Sequence, residues 1–501
     1  MARRRESRKD RLQPRRPQTL NVEHYLLIDL GTGSTRAALV NSESTILGIR
    51  SFVNTYYRDG DYPDAQYFLP EEWENELLRC CRELCAEHPG IRVRAVSSAG
   101  ARQSVVLLDR EGHAFYALPN IDNRGREFIS EIREQEWIYE RSGKWVTEDF
   151  PAAKLLGLRR KKPEIYTRIS TVLSLSEWIA YLFTGNRVCE PSQACETQLY
   201  DLERKAWSEE LCSAYGVDPA LLPELRFTGE SAGPILVSLR NELGMSEDAV
   251  FVIGGADTQC ALMQTGIRTG DIAVVSGTTT PCTALTDEKF YDPEQRVWID
   301  ANLGARGYLI EMNPGVTGLN YQRAKSLLCP DISYQELERR YAEKTDFAGT
   351  ASFSSLLFYE RRSLRCGGFF LPSPLSDRTD RTDLMWMVLA DTACATYEQL
   401  WRLRQLSRHG KKYVLGCGGG FRSGTLCQML ADLSGAELQL LPGFEQATLL
   451  GLVRICNGAF GLEPASENSG ERIVCRPGDG TLIRRYHLIW NRNRLNANTE
   501  T

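Results

Sequence analysis

The chain has 501 residues, 42% of them hydrophobic and 25% charged, with a formal net charge of −5 at pH 7. This is the composition of a soluble globular protein of two or three domains, and its acidic balance offers nucleic acid no general attraction. No apolar run is long enough to span a bilayer and the N-terminus has no apolar h-region, so neither a membrane span nor a signal peptide is expected.

The 15 cysteines are irregularly spaced, form no CxxC pair and are accompanied by only 5 histidines. They read as reduced thiols of a cytosolic protein rather than as a zinc site. Residues 1–22 (beginning MARRRESRKDRLQPRR) are arginine-rich and apolar-poor, the pattern of a disordered basic tail.

The first ordered stretch is YLLIDLGTGSTRAALV, Tyr25 to Val40. An apolar run ends in Asp29, a turn of Gly31, Thr32, Gly33, Ser34 and Thr35 follows, and Arg36 opens a second apolar run. It is no dinucleotide fingerprint, because Arg36 stands where the third glycine belongs, and no Walker loop, because the lysine is missing. A second turn at Asn41–Ser44 and a further strand from Ile46 to Phe52 make it strand–turn–strand.

Trp73 to Ala86 has helical periodicity, with Trp73, Leu77, Leu78, Cys81 and Leu84 near one face. Strands are expected at Val93–Ala99, Ser104–Leu108, Val250–Gly255, Ile272–Ser276 and Tyr413–Gly416. Helices are expected before Gly185, over Leu384–Leu406, and from about Arg422 to Leu433. The alternation is α/β.

One echo stands out. IAVVSGTTTPCTAL (272–285) repeats the plan of the opening stretch, an apolar strand running into a Gly-Thr-rich turn and back. Two such hairpins, one near the start of each half, are what a duplicated two-domain fold with a shared cleft would give. A third glycine element, YVLGCGGGFRSGTLCQMLADLSG (413–435), reads as strand, loop and helix. Its glycines allow close approach to a ligand, and its helix N-terminus offers unpaired amides. Asp257, just after an apolar strand and two glycines, suits either a helix cap or a residue facing the cleft.

DLGTGSTR (29–36), RQ (102–103), NIDNR (120–124), GGADTQ (254–259), SGTTTP (276–281), GCGGGFRSGTLCQMLAD (416–432) and EQATLLG (445–451) together resemble the FGGY carbohydrate kinases of the actin-like ATPase superfamily. Order and spacing agree over residues 24 to 460. Within the family, NIDNR and the segment 313–323 look most like autoinducer-2 kinase and xylulose kinase relatives. The resemblance implies a duplicated RNase H-like fold: a sugar-side domain over 23–262, an ATP-side domain over 263–490, a central cleft, and a tail from 491 to 501.

The resemblance also implies roles. Asp257 would be the catalytic base and also touch the acceptor, and Asp29 would hold Mg²⁺ through water. Gly31, Thr32, Gly33, Ser34, Thr35 and Arg36 would form one phosphate loop and Gly277, Thr278 and Thr279 the other. Gly418, Gly419, Gly420, Phe421 and Ser423 would line the adenosine side of ATP. Arg102, Gln103, Asn120 and Asp122 would bind the sugar-like substrate, with Arg124 anchoring Asp122 and Glu177 reaching the site. Phosphoryl transfer needs alignment and charge neutralisation, which such donors supply. The family resemblance allows a homodimer and leads to no nucleic-acid or membrane partner.

Three departures are visible. Gly33 replaces a hydroxyl residue, Asn120 replaces a tryptophan, and the segment 369–386 lacks the family's usual wording. A non-catalytic actin-like ATP-binding regulator is the alternative, which the presence of Asp257 disfavours.

Overall fold

The computed structural model describes residues 22–60, 62–354, 356–364, 366–377, 379–407, 410–462 and 471–496. Apart from Val22, the expected basic tail lies outside them.

The chain opens as an antiparallel meander of β1 (His24–Leu30), β2 (Ser34–Asn41) and β3 (Ile46–Val53). Helix α1 (Pro70–Glu87) leads to β4 (Val93–Gly100), parallel to β1. After α2 (Leu175–Thr184) come β5 (Ser231–Pro234) and β6 (Val250–Ala256), giving the sheet order β5-β6-β4-β1-β2-β3. A small antiparallel sheet of Val105–Leu108, Ala114–Leu118 and Thr171–Ser174 is inserted between them.

Helix α3 (Asp257–Thr265) connects to the second large sheet, which begins with β7 (Ile272–Val275), β8 (Cys282–Thr286), β9 (Trp298–Ala301) and β10 (Tyr308–Met312). Helices α4 (Gly318–Leu328) and α5 (Arg381–Leu406) lead to β11 (Tyr413–Cys417), α6 (Gly424–Ser434) and β12 (Glu437–Leu440). Then α7 (Ala447–Ala459), β13 (Ile473–Cys475) and α8 (Thr481–Asn496) follow. The order is β9-β10-β8-β7-β11-β12-β13. In both sheets three antiparallel strands are followed by two parallel ones, β3-β2-β1-β4-β6 in the first and β10-β8-β7-β11-β12 in the second. The duplication expected from the two hairpins is therefore present in strand order and in strand sense.

The period-2 pattern of β1 and β2 explains how the first sheet is covered. Leu26, Ile28, Leu30, Ala37 and Leu39 face α1 and α2, while Tyr25, Leu27, Ala38 and Val40 face α7. Helix α7, late in the chain, thus packs on the sheet built first. It crosses α3 at Gly451, where a Cβ would lie 1.9 Å from the Cys260 carbonyl oxygen. Only glycine permits that approach. Helix α3 lies on the second sheet, with Leu262 against Ala273, Leu309 and Leu415.

Three expected boundaries can be placed against the elements. The division at 262/263 falls inside α3. The tail expected from 491 is helical to Asn496, because α8 buries Trp490 and Arg494, and Trp490 Nε1 donates to Asp391 at 2.7 Å. Helix α6 begins at Gly424 rather than near Arg422, since Ser423 is its cap. Helix α5 starts at a reciprocal cap between Asp380 and Asp383, so the altered segment 369–386 ends in an ordinary helix start. Among the described residues no helix is long and apolar enough to cross a membrane.

Candidate active site

β1 and β2 set Asp29 opposite Arg36, and the two side chains form an ion pair through Asp29 Oδ2. Arg36 Nη1 also donates to Gln446 Oε1 at 2.8 Å, which joins this hairpin to the approach of α7. The turn is pinned from outside. Asn54 Nδ2 donates to the Gly31 carbonyl at 2.7 Å, and Tyr56 OH donates to the Thr32 carbonyl at 2.6 Å. The amides of Thr32 and Gly33 have no partner among the described residues, so they are available to an anion. Ser34 is half-buried beside them. Thr35 is different from expectation: it is buried and its hydroxyl donates to Asn54 Oδ1 at 2.9 Å, so it braces the loop and does not face a phosphate.

The second hairpin exposes Gly277 and Thr278, with Thr279 half-buried. The start of α4 clamps it, the Thr317 amide donating to the Thr278 carbonyl at 3.1 Å. Gly318 makes that contact possible, since a Cβ there would lie 2.1 Å from the Gly277 oxygen.

The glycine loop after β11 closes on the same hairpin. A Cβ on Gly418 would meet Ser276 O at 2.4 Å, and one on Gly420 would meet Ser276 Oγ at 2.1 Å. Both positions therefore require glycine for packing against the hairpin, and both remain partly exposed. Phe421 is buried beneath the loop and cannot line a ligand surface. Gly419 alone of this group is exposed with open space around it. Ser423 caps α6 by accepting from the Leu426 amide at 3.1 Å and donates to Glu338 Oε1 at 2.5 Å. Glu338 also takes the Thr425 amide at 3.0 Å, so a carboxylate sits at the helix N-terminus where the dipole favours negative charge.

Asp257 is the first residue of α3 and partly buried; its Oδ1 accepts from the Thr258 amide at 2.7 Å. Burial pushes its carboxyl up to about 6, with Arg102 opposing and Asp29 adding to the rise. Base candidate, metal candidate and acceptor-side arginine therefore share one electrostatic environment.

The remaining acceptor-side residues divide. Arg102 forks onto Glu311 with bonds of 2.7 and 2.9 Å, and its Nη1 lies 3.4 Å from Glu196. Gln103, in a left-handed backbone conformation, donates to Glu196 Oε2 at 3.2 Å. Asn120 Nδ2 donates to Thr32 Oγ1 at 2.8 Å and so bridges acceptor side and phosphate loop, while its buried Oδ1 has no partner among the described residues. Lys154, fully buried, donates to the carbonyls of Gln103 and Pro119, both at 2.8 Å, and ties these segments together.

Asp122 does not join the group. It is fully buried, accepting from the Gln66 amide and from Arg124 Nε, each at 2.8 Å, so it is a structural anchor and not a sugar contact. Glu177 is likewise buried, accepting from Ser176 Oγ at 2.8 Å.

Sequence reasoning missed a buried cluster beside Arg102: Lys144, Glu196, Asp300 and Glu311. Lys144 Nζ donates to Asp300 at 2.5 Å. Burial pushes Asp300 up, but Lys144 and Arg102 outweigh it and hold the carboxyl low. Cys195, Glu196 and Asp300 also have metal-ligand proximity, but the Lys144 ammonium already fills the cation's place. The signal was a lone acid within an apolar strand, as in VWIDA (297–301) and YLIEM (308–312).

Comparison with known proteins gives a consistent picture. The family description "FGGY family of carbohydrate kinases, N-terminal domain" matches residues 24–264. The putative sugar kinase YoaC of Bacillus subtilis is 35% identical over 468 residues, covering 93% of this chain and 96% of that protein. The autoinducer-2 kinase of Salmonella choleraesuis is 25% identical over 474 residues, covering 90% of this chain and 89% of its own. Ligand-bound xylulose kinase from Lactobacillus acidophilus superimposes with a TM-score of 0.80 at 17% identity, over 95% of this chain and 99% of the other.

Proposed function

This chain belongs to the FGGY family of carbohydrate kinases, and from that premise we propose how its residues carry ATP-dependent phosphorylation of a hydroxyl on a sugar, polyol or related small linear carbonyl compound. The observation that carries this reading is the position of Asp257, on an environment shared with Asp29 and Arg102, at the junction of the two duplicated halves.

In this reading Asp257 accepts the proton of the attacking hydroxyl. The free amides of Thr32 and Gly33 and the exposed turn at Gly277–Thr278 hold phosphate oxygens from two sides. Arg36 offsets charge on the transferred group, released for that task from Asp29. Asp29 fits magnesium: it is buried, and among the described residues its Oδ1 accepts no hydrogen bond, leaving one oxygen for a metal-bound water. When bound, the ion would neutralise phosphate charge and help orient the phosphates for in-line transfer. Gly419 is the open point of the adenosine-side loop.

The acceptor rests among Arg102, Gln103 and Asn120, which present both donors and acceptors to a polyhydroxy compound. A cytoplasmic setting agrees with cysteines that are all free thiols.

The test is acceptor-dependent ADP release across pentuloses, polyols and 4,5-dihydroxy-2,3-pentanedione. Stimulation by at least one acceptor is expected. ATP binding with no stimulation anywhere on the panel would overturn the kinase reading.

A further inference from the structure

A buried carboxylate outside the set above connects the base to the opposite half of the molecule. Glu190 is fully buried at the start of a short helix, Pro191–Ala194. Its Oε2 accepts from the Ser192 amide at 2.6 Å and from Ser192 Oγ. Its Oε1 accepts from Thr228 Oγ1 at 2.8 Å and from the Gly304 amide at 2.8 Å. Two backbone amides and two hydroxyls converge on this one side chain, so all of its hydrogen-bonding positions are committed within the fold.

Ser192 passes this constraint on. Its Oγ accepts from the amide of Ala256 at 3.0 Å, the residue immediately before Asp257. Strand β6 has just passed a register shift between Val252 and Gly255, a bulge that re-aims the chain. Gly255 lies directly over the carboxylate: a Cβ there would come within 2.9 Å of Ser192 Oγ and 3.0 Å of Glu190 Oε2. The strand end is thus seated on Glu190 and Ser192. Gly304, on the other side, belongs to the turn between β9, which carries Asp300, and β10, which carries Glu311. These acids are the ones that hold Arg102.

We infer that Glu190 is a positioning residue: through Ser192 it fixes the backbone that presents Asp257, and through Gly304 it keeps that backbone in register with the strands that hold Arg102. This rests on the assignment of Asp257 as the base. The carboxylate touches neither substrate, so its effect belongs on turnover and not on ATP affinity.

The experiment compares Ser192→Ala, Glu190→Gln, the double variant and Asp257→Asn. Kinetics use D-xylulose and 4,5-dihydroxy-2,3-pentanedione as acceptors, and hydrogen exchange of the segment 250–260 needs no acceptor. Ser192→Ala should lower kcat about tenfold with KM for ATP held within about twofold, as a displaced catalytic group does. Glu190→Gln should be at least as severe, and the double variant no worse, since the two residues act in series. Both single variants should speed exchange around Ala256. If Glu190→Gln fails to fold, Ser192→Ala decides by itself. Unchanged exchange in Ser192→Ala, or kcat within about twofold of wild type, would overturn the inference, because misplacement of a base is costly. An active Asp257→Asn would instead remove the base assignment. An inactive Asp257→Asn beside a fully active Ser192→Ala would remove the positioning role alone.

Discussion

Arg102 and Glu311 belong to opposite halves of the chain and meet through two parallel hydrogen bonds of 2.7 and 2.9 Å. Both are largely removed from water: the Arg102 side chain is 10% exposed and that of Glu311 0%. The fork matches a carboxylate in a way a lysine cannot.

Removing Glu311 leaves the buried Arg102 with only the longer contacts to Glu196 and Asp300. Glu311→Ala should still destabilise the protein, by less than the roughly 3–5 kcal/mol of a wholly uncompensated buried charge, read as a fall in denaturation midpoint. Arg102→Lys should be milder for stability but raise KM for the acceptor about tenfold, because the fork geometry is lost, with KM for ATP unchanged. Equal effects on both KM values would show that Arg102 does not act on the acceptor side.

Asp257→Asn should cut kcat by roughly 10²–10⁴-fold while ATP still binds in calorimetry. In the wild type the rate should fall as pH drops through about 6, where Asp257 takes up its proton. The stability consequence has a definite sign. An unfolded aspartate titrates at about 3.9, so between there and about 6 the folded state holds the extra proton. The stability this group contributes is complete below that window and is lost as pH rises through it. Asp257→Asn should flatten this slope in urea titrations taken from pH 4 to 7, and an unaltered slope would show that Asp257 is not the group titrating.

The glycines make a contrasting pair. Gly33 has open space around it, so Gly33→Ser should leave thermal stability unchanged and, by adding a donor at the phosphate loop, lower KM for ATP. Gly318→Ala must push aside the Gly277 carbonyl and should weaken both stability and ATP binding. Indistinguishable ATP affinities in the two variants would argue against these loops as the phosphate clamp.

Asp122 and Arg124 provide the control. Arg124→Met removes the ion-pair partner of buried Asp122, leaving it the Gln66 amide and the Lys154 charge, and should lower stability by up to about 3–5 kcal/mol. In the protein that remains folded, KM for the acceptor should stay at the wild-type value, as measured in the ADP-release assay. A selective rise would return Asp122 to the acceptor site.

The hairpin at 25–40 was legible because its two constraints are local: alternation sets the faces, and Gly31 and Gly33 mark the turn. Its echo at 272–285 then gave the duplication, since equal hairpins imply equal sheets. The packing of Gly418 and Gly420 on Ser276 and the burial of Phe421 were not legible, because a glycine needed for contact with Ser276 looks the same in sequence as one needed for contact with ligand. Thr35 and Asp122 share that problem, their partners Asn54, Gln66 and Arg124 being fixed only by the fold. Lys144, Glu196, Asp300 and Glu311 were missed because they neutralise one another across long stretches of chain, and charge balance at that range leaves no local pattern.

The seat of α7 has a consequence for synthesis. Tyr25 OH donates to Asn457 Oδ1 at 2.8 Å, and Asn457 Nδ2 donates to the Ser42 carbonyl at 2.8 Å, so the first strand is finished by residues made near the end of translation. Until then the face formed by Tyr25, Leu27, Ala38 and Val40 lacks the cover that Leu449, Leu452, Val453 and Cys456 of α7 provide. The ribosome therefore releases an early half that is sticky on one side, and a chain severed between the halves should recover its fold only when both pieces are present together.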